Sequence, residues 1–134
     1  MAKQRIGVGI VGANVRYGWG SRAHIPALLA LPEFDLVAVC TAHRETAEES
    51  ARHYGARYAL TDYHELAAPP EVDLVTVAVR VPLHHRVVMA ALNAGKHVYC
   101  EWPLGASVAE AQEMAHLAQG KGVGHMVGLQ ARAS

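Results

Sequence analysis

Two spacings alternate along this sequence, and that alternation constrains the fold more than any other feature. Short apolar runs recur at Ile6–Val11, Leu36–Cys40, Asp73–Val79, His97–Cys100 and Gly124–Leu129, with a shorter one at Tyr58–Leu60. Their near-continuous valine and isoleucine content is that of parallel strands covered on both faces. Between them lie stretches with helical spacing. Thr46–Tyr54 places Ala47, Ala51 and Tyr54 on one stripe and meets Gly55 as its stop. Leu83–Ala94 buries Val87, Val88, Ala91 and Leu92 and ends at Gly95. Two capping boxes open further helices. Asp62-x-x-Glu65 starts a brief one before Pro69-Pro70, and Ser107-x-x-Glu110 starts one that runs to about Gln119, before Gly120. Strands alternating with helices specify an α/β fold, a doubly wound Rossmann parallel sheet in three layers.

The 134 residues make one expected domain, residues 1–134, and 51% apolar content supplies its core. Twelve basic residues balance twelve acidic ones, so neither nucleic acid nor an acidic membrane is indicated as a partner. No apolar run approaches the roughly 20 residues of a membrane span. The N-terminus leads straight into a strand pattern without a leader's apolar region, so the cytoplasm is the expected compartment. Cys40 and Cys100 have no metal or redox spacing and read as small buried hydrophobes. The nine histidines are scattered. Their one adjacent pair, His84-His85, points about 100° apart on a helix, so no metal site is expected.

The chemistry-bearing signal is glycine at the first strand's end. A dinucleotide fingerprint, G-x-G-x-x-G, needs its first glycine to make the tight turn as the strand stops. Gly7-x-Gly9-x-x-Gly12 matches literally but lies within the strand. Gly18-x-Gly20-x-x-Ala23 lies several residues beyond it. The physical requirement selects Gly12 as the turn. Asn14 stands at the second glycine's position and tolerates unusual backbone angles better than most residues. The loop is then widened through Asn14–Tyr17 to Gly18-Trp19-Gly20. Gly18 and Gly20 would let the backbone approach a diphosphate, and a helix from about Ser21 would aim its free N–H groups at it. Pro26 leaves open where regular helix begins.

Taken in order, these segments resemble the glucose–fructose oxidoreductase, inositol dehydrogenase and MocA family of NAD(P)-dependent oxidoreductases. The resemblance runs through Gly9-Ile-Val-Gly12, Ser21-x-x-His24-x-Pro26-Ala-Leu28, Leu36-Val-Ala-Val39, Ala91-Leu-x-Ala-Gly-Lys-His-Val98, Glu101-x-Pro103-Leu104 and Val127-Gly-Leu-Gln130. Three features are similar to its regulatory branch, that of the yeast galactose-regulon repressor. These are the Gly-x-Asn-x-x-x-Gly-Trp loop at Gly12–Trp19, Glu101-Trp102, and Leu129-Gln-x-Arg132. The resemblance implies a dinucleotide-binding domain of an oxidoreductase acting on a sugar or polyol-like substrate. It also implies a C-terminal α/β domain, absent from this sequence, that carries the substrate wall, further catalytic residues and often a homo-oligomer interface. The chain is therefore not expected to catalyse alone, and no catalytic residue is assigned. Family enzymes usually have lysine where Trp102 stands, and an indole has no titratable amine to relay a proton. A dinucleotide-sensing regulator without turnover is the rival reading.

A Rossmann site reads the adenosine ribose at the end of the second strand, where an acidic residue favours NAD and a basic one NADP. Here Thr41 fills the acidic position and Arg44 follows, so NADP is favoured over NAD. Arg44 reads equally as a solvated first-turn residue. By resemblance, the loop carrying Val79, Arg80, Pro82 and His84 lies against the dinucleotide, although His84 serves as well as a plain helix-start residue. Glu101 ends the fifth strand near the nicotinamide, its alternative being a surface carboxylate. Trp19 belongs to the phosphate loop, while Trp102 and Gln130 fall on the substrate side.

Overall fold

The computed structural model describes residues 5–129. Six parallel strands form one sheet: β1 (Ile6–Val11), β2 (Phe34–Cys40), β3 (Tyr58–Leu60), β4 (Leu74–Val77), β5 (His97–Glu101) and β6 (His125–Gly128). Their spatial order is β3-β2-β1-β4-β5-β6, so the chain winds outward from β1 in one direction and then from β4 in the other. That reversal opens a crevice at the carboxyl ends of β1 and β4. The helices are α1 (Ile25–Ala30), α2 (Arg44–Tyr54), α3 (Tyr63–Leu66), α4 (Val81–Asn93) and α5 (Val108–Lys121). A π-helical segment, Gly20–His24, leads into α1.

Two separate clusters make the three layers. Val8, Ile10, Ile25, Leu36 and Val39 are buried together on the face of α1 and α2, with Ala51 and Tyr54 packed against them. Val37, Val75, Val77, Val98 and Cys100 turn the other way and join Leu66, Val87, Val88, Leu92 and Met114. Period-two alternation thus feeds both cores, with one exception in β2. There the register against β1 shifts between Leu36 and Ala38, so that Val37 and Ala38 both join the second cluster and Val39 returns to the first. Both cysteines are free and buried.

Element bounds depart from the sequence expectation where tertiary contacts overrule local pattern. β2 begins at Phe34 because Phe34 and Asp35 pair with Ile6 and Gly7, although both are only half-buried. β4 is shorter than Asp73–Val79, although the Asp73 backbone still bonds Gly7 and His97 and its carboxylate accepts the Gly7 N–H at 2.8 Å. β6 is likewise shorter than Gly124–Leu129. α2 starts at Arg44, two residues before the expected Thr46, with extended His43 as an N-cap that makes no side-chain capping bond. α4 starts at Val81 and carries Pro82 in its first turn, where a missing N–H leaves no bond unmade. α5 runs through Gly120 and stops at Gly122, whose φ of 66° provides the left-handed C-cap. Ser107 caps α5 by accepting the Glu110 N–H at 3.2 Å, and Asp62 caps α3 by accepting the His64 N–H at 2.8 Å.

Candidate functional site

Gly12 follows β1 with φ of +99°. A Cβ there would lie 2.3 Å from the Ala78 carbonyl oxygen, so only glycine lets the turn pass the end of β4. Gly20 is equally constrained, because its Cβ would meet the Gly12 carbonyl oxygen at 2.4 Å. The two glycines are packed backbone to backbone, and this contact seats the start of the helical segment over the end of β1. Gly18 differs: φ is +104°, and a Cβ would have only the Gly12 oxygen near it, at 3.9 Å. The in-strand glycines serve packing. Cβ atoms at Gly7 and Gly9 would meet Glu71 O at 1.8 Å and Leu66 Cδ2 at 2.7 Å, which is why the literal fingerprint register carries no turn.

Asn14 corrects one expectation. Among the described residues only glycines have positive φ, so Asn14 is not there for a left-handed backbone. Its side chain instead accepts the Arg16 N–H at 2.9 Å, an Asx turn that shapes the widened loop. The loop is anchored from both sides. Ser21 Oγ donates to the Asn14 carbonyl, and buried Ser50 Oγ of α2 donates to the Ala13 carbonyl at 2.7 Å. Tyr17 and Trp19 are 69% and 45% exposed, and Arg16 reaches outward to Glu49 at 3.2 Å. The loop's large side chains therefore project toward solvent.

At the end of β2, Thr41 is buried. Its hydroxyl lies 2.6 Å from Thr46 Oγ1 and donates to the His43 carbonyl at 3.0 Å, so it shapes the first turn of α2. Arg44 is exposed and donates one guanidinium N–H to the Ala59 carbonyl at 2.9 Å. Four donors of that fork remain for other partners.

The loop after β4 brings Val79 against the Gly12 turn, with its Cγ1 3.1 Å from where a Gly12 Cβ would stand. Arg80 is the extended N-cap residue of α4, and Arg80 and Pro82 are exposed. His84 is 1% exposed. Its Nδ1 lies 2.8 Å from the Pro103 carbonyl oxygen and its Nε2 lies 2.9 Å from that of Val79, so the ring ties the β4 and β5 loops together from inside. Glu101 is also buried, at 8%, and pairs with His24 Nε2. Burial, and then the Glu101 carboxylate, push the neighbouring Tyr99 phenol above its usual range. Trp102 is 65% exposed at the mouth of the crevice, and the Trp102–Pro103 bond is cis. Gln130 lies outside the described residues.

Gly12, Asn14, Gly18, Gly20, Val79 and Glu101 thus gather at the carboxyl edge of the sheet. Thr41 and Arg44 stand at its β2 end, and His84 lies beneath it. The two-sided glycine turn fits a diphosphate, since it brings bare backbone to the opening of a helical segment. An apolar cavity of about 40 Å³ among Val88, Leu92, Met114 and Val127 lies on the α4–α5 face. It is too small and too apolar for a dinucleotide.

The family described as an oxidoreductase family with an NAD-binding Rossmann fold, GFO/IDH/MocA, matches residues 6–129. The chain belongs to this family.

Among its GFO/IDH/MocA relatives is levoglucosan dehydrogenase of Pseudarthrobacter phenanthrenivorans, 31% identical over 92% of this chain and 33% of the relative. A solved levoglucosan dehydrogenase, in complex with NADH and levoglucosan, superposes with a TM-score of 0.84 at 30% identity, covering 92% of this chain and 35% of that one. The scyllo-inositol 2-dehydrogenase (NADP(+)) of Bacillus subtilis is 32% identical over 85% of this chain and 34% of its own length. A super-repressor mutant of Gal80p from Saccharomyces cerevisiae superposes with a TM-score of 0.87 at 29% identity, covering 97% of this chain and 36% of that one. The chain spans about a third of the length of the curated relatives it matches. It is an NAD(P)-binding domain of an oxidoreductase family whose relatives include sugar and polyol dehydrogenases. Among the described residues no helix is long and apolar enough to cross a membrane.

The glycine turn at the end of β1 is marked in the sequence, but its bracing is not. Ser21, His24 and Ser50 each reach a partner far along the chain or inside the loop, and no local pattern marks such contacts. His24 stood within a family-like segment without a role.

Proposed function

We propose that this chain, as one domain over residues 1–134, holds NADP in preference to NAD along the carboxyl edge of its sheet. In this role it serves an oxidoreductase that acts on a sugar or polyol-like substrate. The observation that carries the reading is the Gly12–Gly20 contact, which leaves no room for a side chain between strand and helix. Bound NAD(P) supplies the hydride chemistry. Gly12, Asn14, Gly18 and Gly20 hold the diphosphate, Thr41 and Arg44 face the adenosine ribose, and Glu101 meets the nicotinamide side. Trp102 offers an exposed ring against which a sugar face stacks. A second domain, for which the greater length of the relatives leaves room, completes the substrate wall and makes any homo-oligomer contact. The cytoplasm suits the two free cysteines.

Titration of the chain with NADPH and with NADH, followed by tryptophan fluorescence through Trp19 and Trp102, tests the reading. Saturable binding of both, tighter for NADPH, is expected, and Arg44→Ala should weaken NADPH about tenfold while sparing NADH. Binding of neither cofactor refutes the dinucleotide site. Equal losses for both upon Arg44→Ala refute the NADP preference alone.

A further inference from the structure

His24 and Glu101 are 77 positions apart and meet at the crevice. The alternation of β5 explains why. Val98 and Cys100 point into the core beneath α4 and α5, so Tyr99 and Glu101 point to the opposite face. His24 closes the π-helical segment that begins at Gly20, on the face occupied by α1. Its Nε2 bonds Glu101 Oε1, and their side chains are only 16% and 10% exposed. Its ring stands edge-on to Tyr99, with centroids 5.2 Å apart and planes at 74°, so the imidazole is held by two contacts to one strand.

The placement has a consequence for binding. The Gly20–His24 segment starts where Gly20 packs on the Gly12 turn, the place for a diphosphate. Glu101 closes β5, on the side where a dinucleotide's second half lies along such a sheet. We propose that His24 is a positioning residue: it fixes the Glu101 carboxylate and so sets affinity for the nicotinamide half of the cofactor. This rests on the dinucleotide reading above. A hydrogen bond to a carboxylate in a partly buried setting is of the stronger kind, and Glu101 without it would lose a constraint on its rotamer.

Calorimetric titration of the purified chain with ADP and with NADP+ separates the two halves, because ADP carries the diphosphate but no nicotinamide riboside. For His24→Leu, NADP+ affinity should fall about tenfold while ADP affinity stays within twofold. His24→Gln keeps a side-chain N–H donor and should restore NADP+ affinity to within about threefold. Glu101→Gln, with the native histidine, should reproduce the selective loss if His24→Leu does not fold. Parallel loss of ADP and NADP+ overturns the proposal in favour of general damage to the helical segment, and unchanged NADP+ binding overturns it outright. Failure of the unsubstituted chain to bind either probe overturns the nucleotide site itself, which makes the two failures distinguishable.

Discussion

Gly12 and Gly18 have nearly the same backbone angle, +99° and +104°, but a side chain would meet very different surroundings at each. At Gly18 an added Cβ makes only an ordinary contact with the Gly12 oxygen, so Gly18→Ala costs only the left-handed backbone, roughly 1–2 kcal/mol. Gly12→Ala adds a collision with the Ala78 carbonyl oxygen. Gly20→Ala has ordinary φ but forces its Cβ against the Gly12 oxygen, an overpacking cost of about 1–3 kcal/mol. Urea unfolding followed by circular dichroism should therefore rank Gly12→Ala as the most destabilised and Gly18→Ala as milder. An equal ranking would mean that the turn relaxes around the new methyl. At this scale the sequence was legible for Gly12, because a strand must end in a turn. It was not legible for Asn14, whose value is a side-chain hydrogen bond, or for the His24–Glu101 pair, which needs two distant segments to meet.

Secondary elements here are specified by their interiors more sharply than by their ends. The buried stripe Val87, Val88, Ala91 and Leu92 is read directly from spacing and is buried as expected. Both Ser107 and Asp62 act as caps. The stop of α5 shows the weakness of a composition cue. Gly120 and Gly122 are both glycines near a helix end, but only Gly122 takes the left-handed conformation, and Gly120 is helical. Opposite signs follow for the same substitution. Gly120→Ala has nothing within 4 Å of the new methyl and should stabilise by roughly 0.5–1 kcal/mol, from helix propensity. Gly122→Ala should destabilise by about 1 kcal/mol or more because its φ is unsuited to alanine. Thermal melts of the two variants check this, and a destabilised Gly120→Ala would contradict the helical assignment at that position.

The whole sheet protects two thiols, Cys40 at the end of β2 and Cys100 one residue before the end of β5, with two strands between them. Burial pushes Cys40 up to about 11 and Cys100 up to about 12, against an ordinary 9.0. The folded chain therefore keeps protons that the unfolded chain releases once pH passes about 9. Stability from these thiols is complete below that value and is lost progressively as pH rises toward 11–12. Melting temperatures measured from pH 8 to 11 should fall, and Cys40→Ala/Cys100→Ala should show a shallower fall. Iodoacetamide at pH 8 should leave both thiols unmodified in the native chain and label both in urea, read by mass spectrometry. Labelling of the native chain would show that the strand ends open.

At the level of the whole molecule, the alternation of apolar runs with amphipathic stretches determined a parallel sheet with helical crossovers, because such strands need both faces covered. The glycine at the first strand's end determined where the crevice turns. Tertiary structure alone decided which residues brace that crevice. The contacts of Gly20 with Gly12, Ser50 with Ala13, and His24 with Glu101 join segments whose separation along the chain carries no local signature. They arise from the order in which strands are laid side by side, and a one-dimensional pattern holds no record of that proximity.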